Sequence, residues 1–366
     1  MRVARPQRYT SAVTIRTLSS VDTAALARFD AVIDARSPGE FALDRLPGAV
    51  NLPVLSDAER AEVGTIYVQE SRHRARRLGA AYFARNIAGH LEESLSDRPP
   101  GFQPLIYCWR GGQRSHAMAT VLSQVGWPVT VLEGGYRTWR RHVTQRLYED
   151  ELPFRLIVLD GGTGTGKTEM LRLLAERGVQ TLDLEALAEH RGSVFGALGP
   201  QPSQKLFETR LVTELERLDP GKPLVVEAES SKVGDRVVPP ALWRAMAIAP
   251  RIELSAPAEA RADYLVRAYS DALEEPARLA NTLERLDSRM GRKRLAEWRD
   301  LAGRGEYRQL ALVLIEGHYD PAYARSAKSN GRPTAAVVEL PAITPSAQAK
   351  AADQIQQLVK ESFGNA

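Results

Sequence analysis

A glycine-rich segment near the middle of the chain constrains its fold more than any other feature. The segment follows the G-x4-G-K-[ST] pattern and consists of Gly161, Gly162, Thr163, Gly164, Thr165, Gly166, Lys167 and Thr168. An apolar run, 154–159, precedes it, and a run of helix-forming residues, 169–176, follows it. This pattern belongs to strand-to-helix turns in which backbone N–H groups surround phosphate oxygens. The segment therefore predicts an α/β domain with a phosphate site.

Two side chains carry the chemistry expected of this loop. Lys167 is expected to neutralise phosphate charge, and the Thr168 hydroxyl is expected to ligate Mg²⁺. Glu227 is predicted as the partner acid because it ends a second apolar run, 223–227. Glu229, two residues later, lies on the same face if the strand continues. Asp183 and Glu185 are further candidates, although a helix cap is an equal interpretation. Since such a loop recognises phosphates and not bases, ATP, GTP and the diphosphate of another substrate all stay open.

Cys108 is the only cysteine of the chain, and it opens a second loop suited to anions. It follows the apolar run 104–107, two glycines come shortly after it, and its spacing to Arg114 is C-x5-R. Glycines allow a backbone to approach an anion, and a helix N-terminus with nearby guanidinium groups favours a thiolate. We therefore predict that Cys108 is a reactive thiol supported by Arg110 and Arg114, against the alternative of a buried structural cysteine.

Short apolar runs alternate with helical patterns in both halves of the chain, which predicts two parallel sheets with crossover helices. The predicted strands are 31–34, 104–107, 129–132, 154–159, 223–227, 251–254 and 310–315. Helices are expected over 258–301 and after 345. A polar segment that ends at Pro153 suggests a domain boundary, which gives domains 1–147 and 148–366.

Composition restricts the class of protein. The 366 residues are 43% hydrophobic and 26% charged, as in ordinary globular domains. They contain no apolar run of about 18 residues, the length that spans a bilayer, so no membrane association is expected. One cysteine excludes an internal disulfide and a multi-cysteine zinc site, and a lone thiol fits a reducing compartment. A cytoplasmic protein is predicted.

Arginine is locally dense in two segments, 72–77 and 285–308, within a chain of 49 basic and 45 acidic residues. Such segments are either solvated helix faces paired with nearby acids or contacts for a polyanion such as a nucleic acid. The candidate contacts are Arg72, Arg74, Arg76, Arg77, Arg292, Lys293 and Arg294.

The first domain resembles the rhodanese family. Segments 32–41 and 46–53 are similar to the opening signature of that family, and segment 132–136 is similar to its close. The loop cysteine of rhodaneses carries sulfur or selenium, which implies this role for Cys108. The loop is one residue longer than in sulfur-handling rhodaneses, and its length resembles the phosphatase-like branch. Those phosphatases usually have histidine before the cysteine, where this chain has Tyr107.

The two domains together resemble the tRNA 2-selenouridine synthase family. The resemblance is carried by segments 108–115, 161–168, 183–196 and 317–321. It implies a rhodanese-like parallel-sheet domain followed by a P-loop NTPase-like α/β domain with a helical C-terminal region.

The resemblance also implies a reaction and its substrates. Selenium from selenophosphate would replace the sulfur of a wobble 2-thiouridine in tRNA, through an S-prenylated, typically geranylated, intermediate formed from geranyl diphosphate. The expected partners are the anticodon region of tRNA and an enzyme that produces selenophosphate. Two alternatives stay open: a C-x5-R phosphatase, and a sensing module fused to a nucleotide-dependent kinase.

Overall fold

The computed structural model describes residues 15–192, 196, 199–273, 276–285, 292–330 and 333–363. Contacts divide the chain into two compact units. Unit 1 comprises Met1–Gln145 with Glu208–Thr213, and unit 2 comprises Arg146–Phe207 with Glu214–Ala366. The division thus falls two residues before the boundary predicted at 147, and the predicted scheme does not include Glu208–Thr213 in the first unit.

Unit 1 contains a five-stranded parallel sheet with strand order β1-β5-β4-β2-β3. Its strands are β1 Arg16–Leu18, β2 Ala31–Asp34, β3 Ala49–Asn51, β4 Pro104–Tyr107 and β5 Thr130–Leu132. Its helices are α1 Thr23–Leu26, α2 Pro38–Leu43, α3 Asp57–Gln69, α4 Arg72–Glu92, α5 Gln113–Gln124 and α6 Tyr136–Thr144. Strand β4 is buried along its whole length, as expected for a central strand covered by helices on both faces.

Unit 2 contains a second five-stranded parallel sheet, with strand order β12-β11-β6-β8-β7, and a two-stranded antiparallel pair, β9-β10. Its strands are β6 Leu156–Gly161, β7 Gln180–Leu182, β8 Leu224–Glu227, β9 Lys232–Val233, β10 Arg236–Val237, β11 Arg251–Ser255 and β12 Thr334–Glu339. The helices that follow α6 in the chain are α7 Lys167–Glu176, α8 Leu184–Ala188, α9 Gln204–Leu215, α10 Pro240–Ile248, α11 Ala258–Ala268, α12 Ser270–Leu273, α13 Pro276–Arg285, α14 Arg292–Gly303, α15 Tyr307–Leu314, α16 Asp320–Asn330 and α17 Pro345–Phe363.

The prediction of a strand at 310–315 is wrong. The segment forms helix α15, and a π-helical turn, Ile315–Tyr319, follows it. Leu310 and Leu314 belong to one apolar cluster, whereas Ala311 and Ile315 belong to another, so the helix is apolar on two sides. A helix buried on two sides has a nearly continuous apolar sequence, which periodicity cannot distinguish from a buried strand. The fifth strand of the sheet is β12 instead.

Within each parallel sheet the strands end on the same edge, and the loops that follow them carry polar residues. In unit 1, Cys108 follows β4. In unit 2, the glycine-rich segment joins β6 to α7, and Glu227 ends β8, which pairs directly with β6. The fold class is therefore as predicted, and so are the helices over 258–301 and after 345. Among the described residues, no helix combines the length and apolar character needed to cross a membrane.

Candidate functional site

The loop after β4 holds the sulfur of Cys108 among hydrogen-bond donors. The Gly112 N–H donates to Cys108 Sγ at 3.3 Å, and the buried Ser115 hydroxyl lies 3.2 Å from the same sulfur. Gly112 is also the N-cap of α5, so the helix N-terminus faces this region. Cys108 itself is 3% exposed. The loop thus places a helix N-terminus and one backbone donor beside the thiol, as the sequence predicts, and the thiol is nearly fully buried, as in the alternative that the sequence left open.

Glycine is required at one position of this loop for steric reasons. Gly111 has φ +64°, and a Cβ there would lie 2.7 Å from the carbonyl oxygen of Leu132. Gly112, by contrast, has φ −103°, and a Cβ there would meet nothing within 4 Å. The two adjacent glycines therefore have different roles, because only Gly111 is fixed by the packing of the loop against β5.

Arg114 binds a carboxylate and not the sulfur. Its guanidinium donates to Glu40 at 2.6 Å, and Glu40 also pairs with Arg60. Burial raises the pKa of Glu40, but the hydrogen bond and charge of Arg114 outweigh this effect and hold the pKa below its ordinary value. Arg110 is exposed. The expected positive field of two arginines at the thiol is therefore reduced, since one of them is already neutralised.

A buried polar network fixes the strand end that carries Cys108. Arg36 pairs with Asp34 at 2.6 Å, and the Tyr107 hydroxyl donates to Asp34 at 2.6 Å. The Tyr107 oxygen in turn accepts the N–H of Leu46 at 3.2 Å. The Arg36 guanidinium lies 4.2 Å from the centre of the Tyr136 ring. Tyr107 thus acts as a structural support for the residue that follows it.

The glycine-rich loop has the geometry that its sequence predicts. Lys167 Nζ donates to the Gly161 carbonyl at 2.9 Å, so the ammonium folds back over the loop. Gly164 has φ +85° and Gly166 has φ +78°, conformations that favour glycine. The Thr168 hydroxyl donates to a carboxylate oxygen of Glu185 at 3.0 Å.

Three glutamates gather beside this loop. Carboxylate oxygens of Glu185, Glu227 and Glu229 lie within 4.8 Å of one another. Glu227 is fully buried; one of its oxygens accepts the N–H of Glu185 at 2.8 Å, and the other, Oε2, has no hydrogen-bond partner among the residues that the structure describes. Burial, followed by the charges of neighbouring acids, raises the pKa of Glu227 well above its ordinary value, and that of Glu229 to about 8. Burial also raises the pKa of Glu185.

Such a cluster fits a hard divalent cation. Carboxylate and hydroxyl oxygens are the protein ligands that Mg²⁺ prefers, and a cation would give Glu227 Oε2 the partner it lacks. Gly192, with φ +64°, leaves space beside the cluster, because a Cβ there would lie 2.7 Å from Glu229 Oε1 and would overlap Glu185.

Asp183 lies next to the cluster but has a different contact. Its carboxylate accepts the N–H of Ala186 at 2.7 Å and caps helix α8, which is the alternative left open by the sequence. Its charge contributes to the raised pKa of Glu227. Glu185, two residues later, takes the place beside Thr168.

Comparison with known proteins gives an assignment for both units. A model described as "Rhodanese-like domain" matches residues 20–142, and one described as "tRNA 2-selenouridine synthase AAA domain" matches residues 154–351. A tRNA 2-selenouridine synthase from Cupriavidus pinatubonensis is 33% identical over 328 residues, which cover 80% of this chain and 87% of that protein. The chain belongs to the tRNA 2-selenouridine synthase family. The predicted resemblance is thus confirmed.

Two further relatives carry the same name. The tRNA 2-selenouridine synthase from Salmonella enteritidis is 34% identical over 331 residues, which cover 80% of this chain and 87% of that protein. The one from Nitrosomonas europaea is 35% identical over 243 residues, which cover 65% of this chain and 63% of that protein, a little under two thirds of its length.

The arginines considered as tRNA contacts in this family member fall into two groups. Arg72, Arg74, Arg76 and Arg77 are exposed on α4, where Arg74 pairs with Glu70 and Arg72 lies 5.5 Å from the Tyr67 ring centre. Arg294 is exposed and donates to the Gly317 carbonyl at 3.3 Å. Arg292 and Lys293 begin α14, and their side chains lie outside the described residues.

The later arginines of segment 285–308 pair with nearby acids. The sequence left open this interpretation of solvated helix faces paired with acids. Arg299 pairs with Glu284, and Arg304 with Asp300. Arg308 pairs with Asp263 at 2.6 Å. These guanidinium groups are therefore already neutralised by acids on the surface.

Sequence reasoning assigned no role to several residues around the phosphate loop of this synthase family member. The Arg261 guanidinium donates to the Thr163 carbonyl at 3.3 Å and pairs with Asp320 at 2.6 Å. The buried amide nitrogen of Gln348, on α17, has no hydrogen-bond partner in the described part of the chain and lies 2.8 Å from where a Cβ of Gly166 would be. The sequence could have indicated Asp320, because it belongs to segment 317–321, which carries part of the family resemblance. No sequence pattern indicates Arg261 or Gln348.

Proposed function

We propose that this chain replaces the sulfur of a wobble 2-thiouridine in tRNA with selenium, through an S-prenylated intermediate. Family membership supports the selenation of tRNA. The observation that supports two chemical steps is the presence of two anion sites of different chemistry, one in each unit. In unit 1 the Gly112 N–H and the Ser115 hydroxyl lie beside the Cys108 sulfur. In unit 2 the phosphate loop adjoins three glutamates.

The first step forms a carbon–sulfur bond at the phosphate loop. The thiocarbonyl sulfur of the uridine attacks C1 of geranyl diphosphate, the C–O bond breaks, and the diphosphate leaves with the bonding electrons, while N3 of the base releases its proton to water. Lys167 and the loop N–H groups bind the diphosphate and stabilise its growing charge. Glu185, Glu227 and Glu229 with Thr168 would hold Mg²⁺, which supplies further charge neutralisation to the leaving group when bound.

The second step exchanges sulfur for selenium. The selenium atom of selenophosphate bonds to C2 of the uridine, and the prenylthio group leaves as a thiol after it takes a proton. Water then cleaves the P–Se bond and releases phosphate. Cys108, with the Gly112 N–H and the Ser115 hydroxyl beside it, binds the selenium donor, and Arg110 contributes positive charge, because Arg114 is already paired with Glu40.

The remaining partners follow from this reaction. The anticodon region of tRNA would contact the exposed arginines of α4, and an enzyme that makes selenophosphate would supply the donor. A tRNA substrate and a free thiol both support a cytoplasmic location for the proposed reaction.

Mass analysis of wobble nucleosides tests the division of labour. Thiolated tRNA, geranyl diphosphate, Mg²⁺ and selenophosphate are incubated with each variant. Cys108→Ser should still produce S-geranyl uridine but no selenouridine, whereas Lys167→Ala should produce neither. Selenouridine formed at an unchanged rate by Cys108→Ser would contradict the role of the thiol.

The phosphatase alternative is favoured by one observation, the five-residue spacing between Cys108 and Arg114. It predicts that the purified protein hydrolyses an aryl phosphate and loses this activity on Cys108→Ser. The kinase alternative predicts phosphoryl transfer from ATP without any tRNA. Neither activity is expected under the proposed function.

A further inference from the structure

An apolar pocket adjoins the phosphate loop within unit 2. The lining includes Thr163 of the loop, Leu265, Tyr269, Leu310, Leu314 and Tyr319. The surface that these side chains expose to the pocket is almost wholly apolar.

Two features connect the pocket with the loop. Thr163 belongs to both of them. Leu265, on α11, packs against the loop so closely that a Cβ at Gly164 would lie 2.9 Å from its Cγ. A ligand that places its phosphates in the loop therefore has an apolar space next to it.

The residues that line the pocket come from two separate apolar clusters. Ala311 and Leu265 belong to one cluster with Ala262 and Ile315. Leu310 and Leu314 belong to the other, which Tyr319 packs against. Water gains no hydrogen bonds from apolar walls, and a space left unfilled forfeits dispersion contacts on both walls. Hydrocarbon restores these contacts and brings no polar group of its own that would lose hydrogen bonds.

The chemistry of the lining distinguishes between ligands that carry a diphosphate. A nucleoside would place its base and ribose against a wall that offers almost no polar surface, and their polar atoms would lose hydrogen bonds. A branched hydrocarbon chain has no such loss. Three tyrosine rings, Tyr269, Tyr307 and Tyr319, also line the pocket. Aromatic rings stabilise nearby positive charge, which an allylic carbon develops as its bond to diphosphate breaks.

We propose that this pocket binds the prenyl chain of an allylic diphosphate held by the phosphate loop, and that its size sets the chain length. The inference rests on the proposed function and assigns residues to the hydrocarbon part of the same ligand. Each CH₂ group buried in the pocket should raise affinity about fourfold. A ten-carbon chain should therefore bind well over tenfold more tightly than a five-carbon chain, until the pocket is full.

Titration calorimetry with the full chain and Mg²⁺ tests this inference without tRNA. The probes are inorganic diphosphate and the dimethylallyl, geranyl and farnesyl diphosphates. Ala311→Leu fills the pocket from a buried position on α15, and Val266→Phe fills it from a partly exposed one. Ala247→Leu is the matched control, because Ala247 is exposed on α10 in the same unit and does not line the pocket.

We expect the filling variants to weaken geranyl diphosphate binding about tenfold or more while inorganic diphosphate binds as in the unchanged protein, and Ala247→Leu to have no effect. Ala311→Leu should also raise the thermal stability of the ligand-free protein, since it fills empty space. The inference would be overturned if diphosphate affinity did not change with chain length, or if neither filling variant weakened the binding of geranyl diphosphate.

The same titrations separate this inference from the proposed function. If chain-length dependence is observed but no prenyl group reaches tRNA, the pocket assignment stands and the proposed reaction fails. If inorganic and prenyl diphosphates bind equally, the phosphate loop stands and the pocket assignment fails. Absence of binding by every diphosphate would contradict both.

Discussion

Glu227 is the residue whose surroundings differ most from those of an ordinary carboxylate. It is fully buried, one oxygen has no hydrogen-bond partner within the described ranges, and Glu185 and Glu229 lie beside it. Burial and these neighbours raise its pKa. Because the folded state then binds more protons than the unfolded state, this group lowers stability progressively as the pH rises above about 4.3, the ordinary carboxyl value. A bound cation would offset this cost.

Replacement of Glu227 should therefore have opposite effects with and without metal. At pH 7 to 8, Glu227→Gln should stabilise the metal-free protein by about 1–3 kcal/mol, since it removes a buried charge with an unpaired oxygen. The same variant should lose most of the stabilisation that Mg²⁺ gives the unchanged protein. Thermal unfolding with and without Mg²⁺ measures both effects.

Glu339→Gln provides the control for this experiment, because Glu339 ends a strand of the same sheet but is exposed. Its stability and its response to Mg²⁺ should match those of the unchanged protein. A Glu227→Gln variant that is less stable in the absence of metal and equally responsive to Mg²⁺ would contradict the proposed site.

The turn between β4 and α5 gives a prediction at the scale of single elements. Gly111→Ala should destabilise unit 1 by about 1–3 kcal/mol, because φ +64° strains any other residue and the new Cβ would meet Leu132. Gly112→Ala should change stability by less than about 0.5 kcal/mol, since its Cβ would enter open space. Urea unfolding compares the two. Equal effects of both changes would show that the turn differs from the one described.

Helix α4 carries the second prediction at this scale. Arg72, Arg76 and Arg77 are exposed on it, whereas Arg299, Arg304 and Arg308 pair with acids elsewhere in the chain. Removal of one arginine that binds a tRNA phosphate should lower the slope of log affinity against log salt by about 0.7–0.9. Alanine at all three α4 positions should thus lower the slope for tRNA binding by about 2–3.

Alanine at Arg299, Arg304 and Arg308 is the matched control, and it should change the slope much less. Filter binding of tRNA over a range of salt concentrations measures both triple variants. If both triple variants gave the same slope of log affinity against log salt, α4 would have no special role in tRNA binding.

Elements with clear boundaries could be predicted from the sequence, and contacts between distant residues could not. The strand, loop and helix around 154–176 have apolar, glycine and helical patterns in order, and the structure confirms them. The prediction for segment 310–315 was wrong because a helix buried on two sides is apolar throughout. The pairing of Arg114 with Glu40 joins residues 74 positions apart, and no local pattern indicates it.

At the scale of the whole molecule, we propose that each unit contributes one anion site and that the two sites act in a fixed order. The phosphate loop should act first, because the sulfur becomes a leaving group only after prenylation. The thiol loop should act second, on the prenylated uridine. This order predicts that the intermediate accumulates when the selenium donor is absent.

A chase experiment tests this order most directly. The protein is incubated with thiolated tRNA, geranyl diphosphate and Mg²⁺, excess geranyl diphosphate is removed, and selenophosphate is then added while wobble nucleosides are followed by mass. We expect S-geranyl uridine to accumulate first and to be converted into selenouridine by the unchanged protein but not by Cys108→Ser. Selenouridine formed from thiolated tRNA without geranyl diphosphate, or a geranylated nucleoside that selenophosphate fails to convert, would contradict this order.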